Sequence, residues 1–116
     1  MPFGLTFTLE NLKGSYKSFG DNPEYPLKGV TYPVDYGYVE GYKGEDGDEL
    51  DMFFGSGEKC GYIKVWRLDV PEETKFFVQL TEEELEKVLN EFKPVLVISQ
   101  ELDQQTLWGE LQKFKL

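Results

Sequence analysis

Between Tyr62 and Leu80 the chain reads as a β-hairpin, and this segment does most to limit the possible fold. From Tyr62 to Leu68, Ile63 and Val65 alternate with Tyr62, Lys64 and Trp66, the period-two pattern of a strand with one buried face. Val70-Pro71-Glu72 makes a short turn, and Thr74 to Leu80 runs back. The other strand-like pieces are short and bounded by turn residues. Residues 5–12 alternate loosely. Tyr32 to Val39 is aromatic but interrupted by Pro33 and Gly37, which suits an edge or a bend. Leu50 to Phe54 follows a glycine-rich acidic loop, Gly41 to Asp48, and is closed by Gly55-Ser56-Gly57. Several short strands without a repeat suggest a small barrel or sandwich.

Helical signals come later in the chain. Thr81 and Glu84 form a capping box, and Leu85, Val88, Leu89 and Phe92 recur at helical spacing until Lys93-Pro94. Pro94 to Ile98 is strand-like. Asp103 can cap a last helix whose apolar stripe is Leu107, Leu111 and Phe114. The expected class is therefore mainly β with flanking helices (α+β), as one domain over residues 1–116. The chain is 40% hydrophobic with 7 Tyr, 9 Phe and 2 Trp, enough apolar material for a core.

Composition removes whole classes of chemistry. There is no histidine, so Ser-His-Asp catalysis, Cys-His catalysis and His-ligated zinc are excluded. Cys60 is the single cysteine, so neither an internal disulfide nor a Cys₄ zinc site can form. The net charge of −10 argues against nucleic acid and anionic membrane as partners. Met1 to Thr6 lacks the features of a signal peptide, and Val95 to Ile98 is the longest strongly aliphatic run, far short of a membrane span. A cytoplasmic location is expected.

The acidity is concentrated. Asp35 to Glu58 holds eight carboxylates and one cation, Lys43, and three of the seven aspartates fall within Asp46-Gly47-Asp48-Glu49-Leu50-Asp51. Short, stiff aspartates beside glycine hold oxygens close together, as hard cations prefer. Strand parity sets Asp51 opposite to Asp46 and Asp48, but a bend at Gly47 lets all three converge. Asp69 and Glu73 flank the hairpin turn, so closure brings them near each other. If the two clusters meet, up to five carboxylates surround one cavity, an arrangement that calls for a divalent cation such as Mg²⁺. A solvated acidic turn is the alternative reading of the loop. A calcium EF-hand is not, because Asp51 and Gly57 stand where glycine and glutamate are required.

Tyr32-Pro33-Val34-Asp35-Tyr36-Gly37-Tyr38-Val39, followed by Asp46-Gly47-Asp48-Glu49-Leu50-Asp51, resembles the signature of the soluble family I inorganic pyrophosphatases. Order, spacing and glycine placement agree over residues 32 to 54. Glu10 to Ser15 looks like the family's first strand and its Lys-Gly-Ser turn. Asp69, Glu73 and Lys75 look like its second acidic pair and lysine, and Phe114-Lys115 like its C-terminal Tyr-Lys. The resemblance implies a five-stranded OB-like barrel with about two helices packed outside. It also implies Mg²⁺-dependent hydrolysis of pyrophosphate to two phosphates, and self-association as a homo-oligomer. On that resemblance Asp46, Asp51, Asp69 and Glu73 hold metal, Glu10 contributes to a further metal, and Asp48 is the base toward a metal-bridging water. Lys17, Tyr36, Lys75 and Lys115 hold phosphate oxygens.

The arginine that precedes the Tyr-Pro segment in the family is missing, and the nearest cation, Lys28, stands at a different offset. A lysine offers a point charge instead of a bidentate fork. Glu73 replaces an aspartate, one methylene longer. The same residues also allow a non-catalytic metal- or phosphate-binding relative, or a hydrolase of a related phosphoanhydride.

Overall fold

The computed structural model describes residues 4–116; the reading of Met1-Pro2-Phe3 as part of a non-secretory start lies outside them. The elements are β1 (Phe7–Asn11), β2 (Tyr16–Ser18), β3 (Gly29–Thr31), β4 (Asp35–Lys43), β5 (Glu49–Phe54), β6 (Lys59–Val65), β7 (Glu73–Leu80), α1 (Glu82–Phe92), a 3₁₀ turn (Lys93–Val95), β8 (Leu96–Leu102) and α2 (Gln104–Gln112). The class is α+β and mainly β, as the sequence indicates.

The architecture departs from the five-stranded barrel. Six strands form one mixed sheet in the order β1-β4-β5-β7-β6-β8, while β2 and β3 pair separately. Closure would require the two end strands to meet, but β1 and β8 stand at opposite edges, so the sheet stays open. All neighbours are antiparallel except β5 and β7, which run parallel with Met52, Phe53 and Phe54 opposite Phe76, Phe77 and Val78.

The central strands are buried on both faces, with one helix on each, while the edge strands β1 and β8 stay largely exposed. Period-two alternation sorts the side chains: Tyr36, Phe53, Ile63, Val65 and Phe77 join Leu85, Val88 and Phe92 of α1, whereas Val39, Leu50, Met52, Phe76 and Val78 join Leu107 and Leu111 of α2. Both helices are capped as their sequences indicate. The Thr81 hydroxyl accepts from Glu84 N at 3.0 Å while Glu84 Oε1 accepts from Thr81 N at 2.8 Å, and Asp103 Oδ1 accepts from Thr106 N at 2.7 Å.

Boundaries shift for local reasons. The hairpin strand ends at Val65, not Leu68: Trp66 turns out to meet Tyr25 edge-on with ring centroids 5.1 Å apart, and Arg67 N bonds to Val70 O at 2.8 Å to make the bend. β4 runs through the expected loop start as far as Lys43, with Gly41 at φ +84° in the register break between Val39 and Lys43. Pro94 lies in the 3₁₀ turn, so the strand expected from it begins at Leu96. Phe114 lies beyond α2 but still packs edge-on against Phe76, 5.7 Å away. β2 and β3 were not anticipated, since three residues carry no readable period.

Candidate functional site

In β5, and in β7 as far as Phe77, the odd-numbered residues share the α1 face; at Gln79, φ +54°, the alternation breaks and Leu80 joins that side. Where α1 covers the odd-numbered residues they are apolar, Phe53 and Phe77. Beyond its C-terminal end they become Asp51, Glu73 and Lys75, with the Phe92 ring 5.9 Å from the Lys75 ammonium. One face of the sheet thus changes from core to ionic site within two residues along each strand.

The acidic loop is brought there by its own turn chemistry. Gly44 N bonds to Asp48 O at 2.8 Å, Asp46 Oδ1 accepts from Asp48 N at 3.0 Å, and Gly47 sits at φ +83°, a conformation that favours glycine. Glu45 ties the loop to β7, accepting from Thr74 N at 3.0 Å and from the Thr74 hydroxyl at 2.5 Å. This tether draws Asp46 toward Glu73 and joins the two acidic stretches.

The resulting cavity has a volume of about 470 Å³. Its wall includes Glu10, Lys17, Tyr36, Asp46, Asp48, Asp51, Glu73 and Lys75, eight of the ten residues singled out by the sequence. Lys115 lies away from it, in an isolated bridge with Tyr42 on the α2 side. Asp69 also lies off the wall; its side chain is 65% exposed and Arg67 Nε is 3.3 Å from its Oδ1. The wall further includes Phe19, Tyr25, Tyr32, Glu49 and Arg67, for which the sequence suggested no site role. Tyr32 stacks on Tyr36 at 4.6 Å. Arg67 is the more consequential omission, and the signal for it was faint: one arginine two residues before Asp69.

Cations lie among the carboxylates. Lys75 Nζ donates to the Tyr36 hydroxyl at 2.7 Å and to Asp51 Oδ2 at 2.8 Å, and lies 2.7 Å from Glu73 Oε1 as an ion pair. Glu73 Oε1 is buried and accepts no hydrogen bond, so the Lys75 charge is what compensates it. Arg67 Nη1 bonds to Asp46 Oδ2 at 3.0 Å and to Glu73 Oε2. Burial disfavours the charged form of Glu73, but Lys75 and Arg67 outweigh it and hold the carboxyl at about 2. Burial likewise opposes the Lys75 ammonium, yet Tyr36, Asp51 and Glu73 keep its pKa well above the ordinary lysine value. Asp51 is shifted upward, because its burial exceeds what Lys75 returns. Glu10 is shifted upward by burial and then by Asp51.

Six carboxylates against three cations leave the cavity wall net negative, so a phosphate-bearing anion would meet repulsion without further positive charge. The donors are hard oxygens, the kind that Mg²⁺ takes, and they converge on one space; in chemical kind they fit that ion. Among the described residues no three acidic side chains form a ready metal-holding group, and their oxygens are engaged by Arg67 and Lys75 instead.

The family model for inorganic pyrophosphatase matches residues 2–84, most of the chain and every one of the eight expected residues on the cavity wall. The chain belongs to the inorganic pyrophosphatase family. Lys115 lies outside the matched stretch. No curated protein and no solved structure matches the chain. Among the described residues no helix is long and apolar enough to cross a membrane.

Proposed function

We propose that this chain hydrolyses inorganic pyrophosphate to two phosphates in a Mg²⁺-dependent reaction, in the cytoplasm. The observation that carries the reading is the meeting of Asp46, Asp48 and Asp51 with Glu73, Lys75, Lys17 and Tyr36 around one cavity, from separate stretches of a chain in the pyrophosphatase family. Asp46, Asp51 and Glu73 would hold Mg²⁺, with Asp69 beside them through Arg67 and Glu10 toward a further ion. Bound Mg²⁺ supplies charge neutralisation and a water of lowered pKa.

The exposed Asp48 carboxylate takes the proton of the attacking water. As that water's oxygen bonds to one phosphorus, the bridging P–O bond breaks and its electron pair leaves with the second phosphate. Lys17 and Tyr36 orient the phosphate oxygens, and Lys75 offsets the charge that develops on them. Release of phosphate from pyrophosphate across a divalent-metal titration tests the reading. Asp48→Asn should lower turnover by roughly 100-fold or more, the usual weight of a general base; no release with Mg²⁺, Mn²⁺ or Co²⁺ would reject the function.

A second reading has its own support. Because Arg67 and Lys75 engage the carboxylates, the chain is also suited to binding metal or phosphate without turnover. Calorimetry that records tight binding alongside no phosphate release would select this reading.

A further inference from the structure

Arg67 stands among the carboxylates assigned to the cation. Its Nη1 reaches Asp46 and Glu73, and its Nε and Nη2 lie 3.3 and 3.4 Å from Asp69. Lys75 contacts Asp51 and the other oxygen of Glu73. Between them, the two side chains touch Asp46, Asp51, Asp69 and Glu73, four of the five carboxylates expected to serve metal, Glu10 being the other.

The two cations are not held alike. Lys75 is 8% exposed, lies within β7 and is enclosed by Tyr36, Asp51, Glu73 and the Phe92 ring. Its removal to solvent would open the core. Arg67 follows β6 in the connection to β7, and its side chain is 39% exposed. Such a guanidinium can swing into water at little desolvation cost, and its planar fork suits a temporary grip on several carboxylates. A divalent ion bound to Asp46 and Glu73 would also repel the guanidinium that now bridges them.

We infer that Arg67 is a resident counter-cation of this carboxylate cluster, and that it sets the affinity for divalent metal because metal must displace it. The inference rests on the reading that these carboxylates bind Mg²⁺. It assigns Arg67 a role in determining when the site loads, and it means the chain carries its own competitor for the ion. Substituting Arg67 should therefore strengthen metal binding, whereas a purely structural arginine would leave it unchanged or weakened.

Two measurements on the full chain decide this. Arg67 is the sole arginine, so its Nε–H is the one arginine signal in a ¹⁵N-labelled sample. Adding Mg²⁺ should move that signal toward the shift and solvent-exchange rate of a free arginine side chain. By calorimetry, Arg67→Gln should bind Mg²⁺ roughly five- to tenfold more tightly than wild type, on the scale of one partly exposed ion pair, and Arg67→Lys should stay near wild type. Wild-type binding with an unmoved arginine signal, or with no gain in Arg67→Gln, overturns the displacement and leaves the metal reading standing. Absence of Mg²⁺ binding in both proteins overturns both. If Arg67→Gln fails to fold, the wild-type signal alone decides between the first two outcomes.

Discussion

Lys75 and Arg67 contact the same carboxylate, Glu73, yet their burial predicts opposite consequences for their loss. Lys75→Met would leave Asp51 and Glu73 facing each other in the core without their shared ammonium. Removing one partner of such a buried group costs about 3–5 kcal/mol, so urea denaturation should record a loss of that order. Arg67 is mostly screened by solvent, and its loss should cost far less stability. The carboxylates themselves were legible in the sequence, because Asp46, Asp48 and Asp51 sit at a spacing that local turn chemistry can close. Arg67 was not, since its partners Asp46 and Glu73 come from a loop 21 residues upstream and a strand six residues downstream, and no local pattern encodes that meeting. Nor does local pattern encode the burial of Lys75: β7 is covered on both sides, which depends on where the helices dock.

At the level of elements, the cap of α1 also fastens the turn after β5. Glu84 accepts from Thr81 N, from Ser56 N at 3.0 Å and from the Ser56 hydroxyl at 2.9 Å. Partial burial raises its pKa, but these backbone and hydroxyl donors outweigh that and hold it below the ordinary 4.5. A carboxyl lowered on folding contributes stability above its unfolded pKa and loses that contribution as pH falls through its folded pKa. Glu84→Gln should therefore lower stability at neutral pH by roughly 0.5–1 kcal/mol, the scale of a solvent-screened cap. The deficit should shrink as pH falls below the ordinary carboxylate range and the folded carboxyl takes up its proton, which denaturation curves recorded across that range would show. This cap was readable from Thr81 and Glu84 alone, as was the pairing of β6 with β7, because capping and period-two alternation are local. The β2–β3 pair and the open sheet were not, because strand neighbours are chosen by tertiary packing.

For the whole molecule, the net charge of −10 and the acidic cavity act together. Self-repulsion opposes compaction, so the metal-free chain should gain stability in added salt. Mg²⁺ at 100 times its dissociation constant should add about 2.7 kcal/mol by mass action. A rise in melting temperature that a chelator reverses would check this, and an unchanged melting temperature would count against a metal site. The parallel contact between β5 and β7, with β6 laid on the far side of β7, has a kinetic consequence. Asp51 and Glu73 become neighbours only after the intervening chain has looped out and back, so refolding should regain helix signal before the contacts of Lys75 with Asp51 and Glu73 re-form.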